Sequence, residues 1–213
     1  MRFVSFFLVV LFFTWFDCCS QADSVIHSPD ARMEDGIYIN YSDFRKDKSI
    51  KKNQIVSKLD KEQLEFLSKT IFENKISYEE NGTVYTVESK NVWGYMQNNT
   101  LYVNFRGDFF RVPVFGSVSY LVATVTVINP GFYDPRFGMS TGSGTTKEIR
   151  EFLMNFYDGH MVEFTVEGAE QLISRDKTLY AEYKNLGRRK QKEQIYGYIR
   201  KFNNLHPVYF LKG

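Results

Sequence analysis

Past Lys75 the apolar pattern changes from a period of 3.6 to a period of two, in short runs broken by turns rich in glycine and asparagine. A period of two sends alternate side chains to opposite faces of a pleated strand, so this stretch has to fold as β-sheet. Asn81-Gly82 tolerates positive φ at both positions and joins 75–79 to 83–88 as a tight hairpin. The next strands are 92–96 and 101–105, reversed at Gln97-Asn98-Asn99, and Gly107-Asp108 turns the chain into 109–115, where Pro113 marks an edge or a bulge. The longest β-branched run, 117–128, is expected near the centre of the sheet. The pattern is an antiparallel meander.

The flanks read differently. Residues 37–41 form a short strand and 42–52 a charged connection, after which Asp60 suits an N-cap for a helix over 61–73 with Leu64, Leu67 and Ile71 along one stripe. Residues 129–146, with Pro130, Pro135 and Gly138 to Thr146, break every pattern and are expected to form a long mobile loop. Beyond it, Asp158-Gly159 signals a second hairpin, 149–157 with 161–166. Three helical stripes follow: Ala169, Leu172 and Ile173; Leu179, Tyr180, Tyr183 and Leu186; then Ile195, Tyr198, Ile199 and Phe202, ending before His206-Pro207. This order implies an α+β fold, an antiparallel β meander with one N-terminal helix and a C-terminal helical segment; the alternative is a curled or barrel-like sheet with flanking helices. The chain divides into a signal peptide (1–22), a flexible leader (23–35), a sheet region with one helix (36–128), the loop (129–146), and a hairpin with helices (147–213) packed on the same core.

Arg2 precedes an almost unbroken apolar run of 14 residues, 3–16, and Ser20-Gln21-Ala22 is a small-x-small triplet of the kind a signal peptidase accepts. A membrane-spanning helix needs about 20 residues, so the run reads as an export signal cleaved near Ala22, leaving 213 − 22 = 191 residues in the periplasm or at the cell surface. Both cysteines, Cys18 and Cys19, lie at this boundary, so the mature chain is expected to be free of disulfides and to hold itself by packing. Lipid anchoring at Cys18 or Cys19 is the alternative, although Trp15, Phe16 and Asp17 are bulky or charged where small residues suit lipidation.

A net charge of +2 gives no global support for a nucleic-acid partner. The glycine-rich stretch fails as a phosphate loop because Glu148, not Ser or Thr, follows Lys147. The three histidines, His27, His160 and His206, are scattered, so neither a metal site nor a cofactor is expected. A hydrolase acting on envelope polymers would have to use His160 with Asp158, which a turn separates. An apolar-ligand carrier would need the meander to curl around a cavity. The reading preferred over both is a non-enzymatic binding or structural module of the envelope, contacting an envelope protein or ligand through Trp93, Tyr95, Phe132, Tyr133, Arg136 and Phe137, since loops on rigid sheets commonly carry recognition. Arg188, Arg189, Lys190 and Lys192 form the one dense basic cluster, at the start of the last helix, and suit peripheral contact with an anionic membrane surface or an acidic partner.

The run from Asp35 to Phe44, then Val92-Trp93-Gly94-Tyr95 ahead of Leu101-Tyr102-Val103, then Asp176 to Tyr183 with Asn203 and His206-Pro207, together resemble uncharacterised exported proteins of the Bacteroidetes type, a domain of unknown function. The resemblance spans most of the mature chain. It implies export and a single architecture but no activity, so no site residue is carried over. Members of that group often have a cysteine or an acidic residue after the Trp-Gly-aromatic triplet, whereas here Met96 and Gln97 follow.

Overall fold

Adjacent residues in this chain serve different cores, and that alternation stacks its layers. A computed structural model describes residues 24–26, 33–129, 131, 133–134, 136, 139–140 and 144–211. The signal segment 1–22 lies outside the described residues, as do 138 and 141–143 of the glycine-rich stretch. Tyr38 and Met96 of a five-stranded antiparallel sheet pack on one side against Leu121, Phe152 and Met154, while their neighbours Ile37 and Tyr95 pack on the other side against Phe66, Leu67 and Ile71. In that sheet the order is Ile50–Lys51, Gly36–Tyr38, Gly94–Gln97, Thr100–Phe105, Asp108–Arg111.

The second layer is a three-stranded sheet, Val118–Asn129 against Gly144–Asn155 against Met161–Glu163. Its outer face carries α3 (Val166–Ile173), α4 (Lys177–Lys184) and α5 (Arg188–Leu205), which bury Val118 and Leu153 among Ala169, Ile173, Tyr183, Ile195 and Phe202. Capping places two of these helices: Thr165 accepts from the Gly168 N–H and Asp176 from the Leu179 N–H. At Gly168 a Cβ would lie 2.1 Å from the Glu163 carbonyl oxygen, so only glycine lets α3 sit this close to the adjacent strand. On the far side of the five-stranded sheet lie α2 (Phe66–Phe72) and a small sheet of Ile55–Val56, Lys75–Glu80 and Thr83–Glu88. The class is therefore α+β with segregated layers.

The sheets stay open. Among the described residues there is no closed barrel, which corrects the barrel-like alternative: the meander splits between separate sheets and no strand links their edges into a ring. The 75–88 hairpin has the expected two-residue turn, with Asn81 and Gly82 at φ 52° and 75°. The strand 118–129 is also corrected. It lies at an edge of its sheet and not at the centre: among the described residues the named strand paired with it is the one that returns from the predicted loop, and on its other side Val114 bridges to Tyr120. That hairpin stays in register to Asn129 opposite Gly144, so the flanks of 129–146 are strand, and Tyr133–Asp134 pairs with Met139–Ser140 further out.

Near the N-terminus two expectations shift. Residues 37–41 hold only a short strand, because the Asn40 side chain accepts from the Asp43 N–H and starts α1 (Tyr41–Arg45). The helix expected over 61–73 is confined to 66–72. Asp60 spends its carboxylate on the Glu62 N–H in a local turn, and Leu64 is 73 % exposed, outside the stripe. Within the segment read as a leader, Ser24–Ile26 pairs with Tyr209–Leu211, and Met33 is buried in the central core.

Candidate interaction surface

The long hairpin has a buried root and an exposed outer part. Paired residues on its helix side are Tyr120 with Leu153, Val122 with Glu151, Thr124 with Ile149, Thr126 with Lys147, and Ile128 with Thr145. The first pair is packed under the helices; further out the cover ends, and Ile128 and Ile149 are 72 % and 77 % exposed. Leu64 and Phe72 are as open elsewhere, but Ile128 and Ile149 share one face of a regular hairpin, as the apolar part of a contact surface would.

The same face runs into a groove of about 530 Å³ between the hairpin and the start of α5, lined by Glu151, Phe164, Val166, Ile195, Arg188 and Lys192 among others. Tyr120 fixes the hairpin side of this groove: its hydroxyl donates to Glu151 Oε1 at 2.5 Å and its ring meets Phe164 and Tyr196 edge-on. Desolvation first, then the hydrogen bond to Glu151, pushes the Tyr120 hydroxyl up to about 12, so it stays a donor at any physiological pH.

Of the basic cluster, Arg188, Arg189 and Lys192 line the groove, whereas Lys190, also exposed, does not. Arg188 is paired with Glu167, and Arg189 with Glu193 one turn along the helix at 3.0 Å. A bond to its own backbone N–H first, and the Arg188 guanidinium second, hold the Glu167 carboxyl below its ordinary range. Such exposed pairs contribute little; Glu151 and Glu167 also line the groove, so its small excess of positive charge comes from Lys192, above an apolar floor of Phe164, Val166 and Ile195.

The other sequence candidates are dispersed. Trp93 is half-buried and stacked on Phe44 at 4.4 Å, in the central core. Tyr95 is 4 % exposed, lies parallel to Tyr102 at 4.7 Å in the core on the opposite side of the sheet, and has its hydroxyl raised by burial. The two therefore do not share a surface. Phe132 and Phe137 lie outside the described residues; of Tyr133 only the backbone pairing is described, and Arg136 is exposed.

Acid–base candidates turn out to hold the fold together. The Asp158 carboxylate accepts from the His160 backbone N–H at 2.9 Å and from Asn155 Nδ2 at 2.9 Å, and Arg175 lies 3.8 Å away. Asp158 caps its own reversal through these bonds. A closer imidazole–carboxylate pair was not legible from sequence: His206 Nε2 lies 3.0 Å from Asp176 Oδ2, across 30 residues. Ser117 is next to it but donates to the His206 backbone carbonyl, so the hydroxyl is not poised on the ring as nucleophilic catalysis requires. The bond from Leu179 N–H first, and His206 second, hold the Asp176 carboxyl below its ordinary range.

Among the described residues no three His, Cys, Asp or Glu side chains converge as metal ligands, and no helix is long and apolar enough to cross a membrane. No family model, no curated protein and no solved structure matches this chain.

Proposed function

We propose that this chain is an exported, non-enzymatic binding module of the cell envelope or periplasm, and that it engages an acidic partner along the helix side of the long hairpin. One observation carries the reading: Ile149 and Ile128 stand open on a regular, register-locked hairpin whose face continues into the groove walled by Arg188, Arg189 and Lys192. Apolar anchors beside cations suit a partner that is itself apolar with acidic flanks, the anchors giving affinity and the charges orientation. Export is supported by Arg2, the apolar run 3–16 and Ser20-Gln21-Ala22. The resemblance to exported Bacteroidetes-type proteins points the same way.

A carrier would call for a closed barrel, and the sheets are open. A hydrolase built on His160 would call for the Asp158 carboxylate, which is engaged in its turn, and beside the His206–Asp176 pair the Ser117 hydroxyl donates to the His206 backbone carbonyl instead of the ring. The test places a photo-crosslinking side chain at position 149 or, as a control, at Val84, which is also exposed, on the small sheet. Adducts in intact cells should form from 149 and not from 84, and should fall when Arg188, Arg189 and Lys192 are all changed to Glu. Equal labelling from both positions, or a lipid adduct alone, overturns the reading. N-terminal sequencing of the product should begin at Asp23.

A further inference from the structure

The most exposed large apolar side chain among the described residues is Phe72, at 86 %. It ends α2, whose Phe66, Leu67 and Ile71 are buried in the core. An aromatic ring held in water by a packed helix offers an apolar face that burial would stabilise. Phe72 lines a cleft of about 360 Å³ where three segments meet, 71–75, 88–90 and 107–109.

Two side chains lock these segments together. Ser89 is buried; its hydroxyl donates to the Glu73 carbonyl and its N–H bonds the Asn74 carbonyl at 3.1 Å. Asn104 donates from Nδ2 to the Lys90 and Val92 carbonyls, each at 2.8 Å, and accepts from the Gly107 N–H at 2.9 Å. Gly107, at φ 96°, turns the chain so that Asp108 and Phe109 reach the cleft. The Phe109 ring is anchored 5.6 Å from that of Tyr95 in the core. The walls are thus set by the fold before anything binds, which lowers the ordering cost of a ligand.

Polar groups complete the cleft. Glu73, Asn74 and Asp108 are exposed, and their side chains make no hydrogen bond or ion pair among the described residues. Glu88 and Lys90 pair with one another at 2.9 Å. The three carboxylates, Glu73, Glu88 and Asp108, outnumber the ammonium groups of Lys75 and Lys90 by one, which opposes a polyanion. An apolar chain would desolvate the carboxylates without bonding them. A sugar meets both kinds of wall: the C–H face of a pyranose packs on an aromatic ring, and its hydroxyls donate to carboxylates and accept from amide and ammonium groups. The volume lies within the roughly 300–1,000 Å³ of small-molecule sites.

We propose that this cleft binds a neutral oligosaccharide, with one ring stacked on Phe72 and its hydroxyls bonded to Glu73, Asn74 and Asp108. The cleft shares no residue with the groove beside α5, so the two surfaces can be separated by substitution.

An array of neutral and acidic oligosaccharides, probed with the purified protein, tests it. At least one neutral class should be retained. Phe72→Ala should weaken that binding by about tenfold, whereas Phe72→Trp should keep it. Asn74→Ala combined with Asp108→Ala should weaken it as well. All three positions are exposed, so these variants should unfold at the denaturant midpoint of the wild type. Changing Arg188, Arg189 and Lys192 to Glu should leave sugar binding intact. Failure to retain any neutral glycan, retention of acidic glycans alone, a Phe72→Ala variant that binds as the wild type does, or loss of binding in the α5 variant overturns the proposal.

Discussion

Two halves of one hairpin, built from the same pair of strands, obey opposite rules. At the root, Leu121, Phe152 and Met154 face the five-stranded sheet while Val118 and Leu153 face the helices, so both faces are covered and consecutive residues are apolar. Further out, the helix-side cover stops and Ile149 and Ile128 stand in solvent, while Ala123 and Val125 on the other face remain buried. Continuous apolar sequence is thus the mark of the doubly covered part, and alternation the mark of the singly covered part. An exposed isoleucine in the alternating part has no packing reason to be there, which is why the functional reading rests on it.

The comparison can be broken by substitution. Leu153→Ala, at the root, should cost about 2–5 kcal/mol of unfolding free energy in a denaturant titration, because it empties a site packed on every side. A loss below about 1 kcal/mol would mean that the helices do not clamp the root as described. A smaller effect belongs to Tyr183, whose hydroxyl donates to the Gln191 carbonyl and binds α4 to α5. Tyr183→Phe should cost about 1 kcal/mol. Burial pushes this hydroxyl up to about 12 from an ordinary value of 10.0. The unfolded chain therefore loses its proton first, and the stabilisation, complete below pH 10, is lost as pH rises through about 12. The phenylalanine variant should show a flatter decline across that alkaline window. The smallest effect is expected four residues from Leu153 on the same strand: Ile149→Ala should alter stability by no more than about 0.5 kcal/mol. A larger loss would show that Ile149 is held by the fold, and would remove the reason for placing a contact there.

Much of this architecture was legible in the sequence where local chemistry decides it. The two-residue turn at Asn81-Gly82, the reversal at Asp158-Gly159 and the helix stop before His206-Pro207 each depend on residues within a few positions. What failed was non-local. The β-branched run 117–128 looks central because its composition suits burial, yet its place in the sheet is set by which segments return to pair with it, and only 144–155 does so as a named strand. Asn40 was missed as a helix cap since Ile37 to Tyr41 reads as one alternating strand, and the helix it starts is only five residues long. The candidate surface was half visible. The basic cluster was plain, but its apolar floor of Phe164, Val166 and Ile195 comes from three separate elements, and Ile149 hides among charged neighbours. Trp93 and Tyr95 drew notice as adjacent aromatics, and only the layering shows that they serve different cores.

The pairing of Ser24–Ile26 with Tyr209–Leu211 brings the first and last described strands side by side. A polypeptide closed on itself in this way tolerates re-cutting. Joining its two ends with a short linker and opening it within the Asn81-Gly82 reversal would yield a circular permutant with every described layer retained, and would put the new ends at the exposed turn of the small sheet, where a reporter crosses none of the cores.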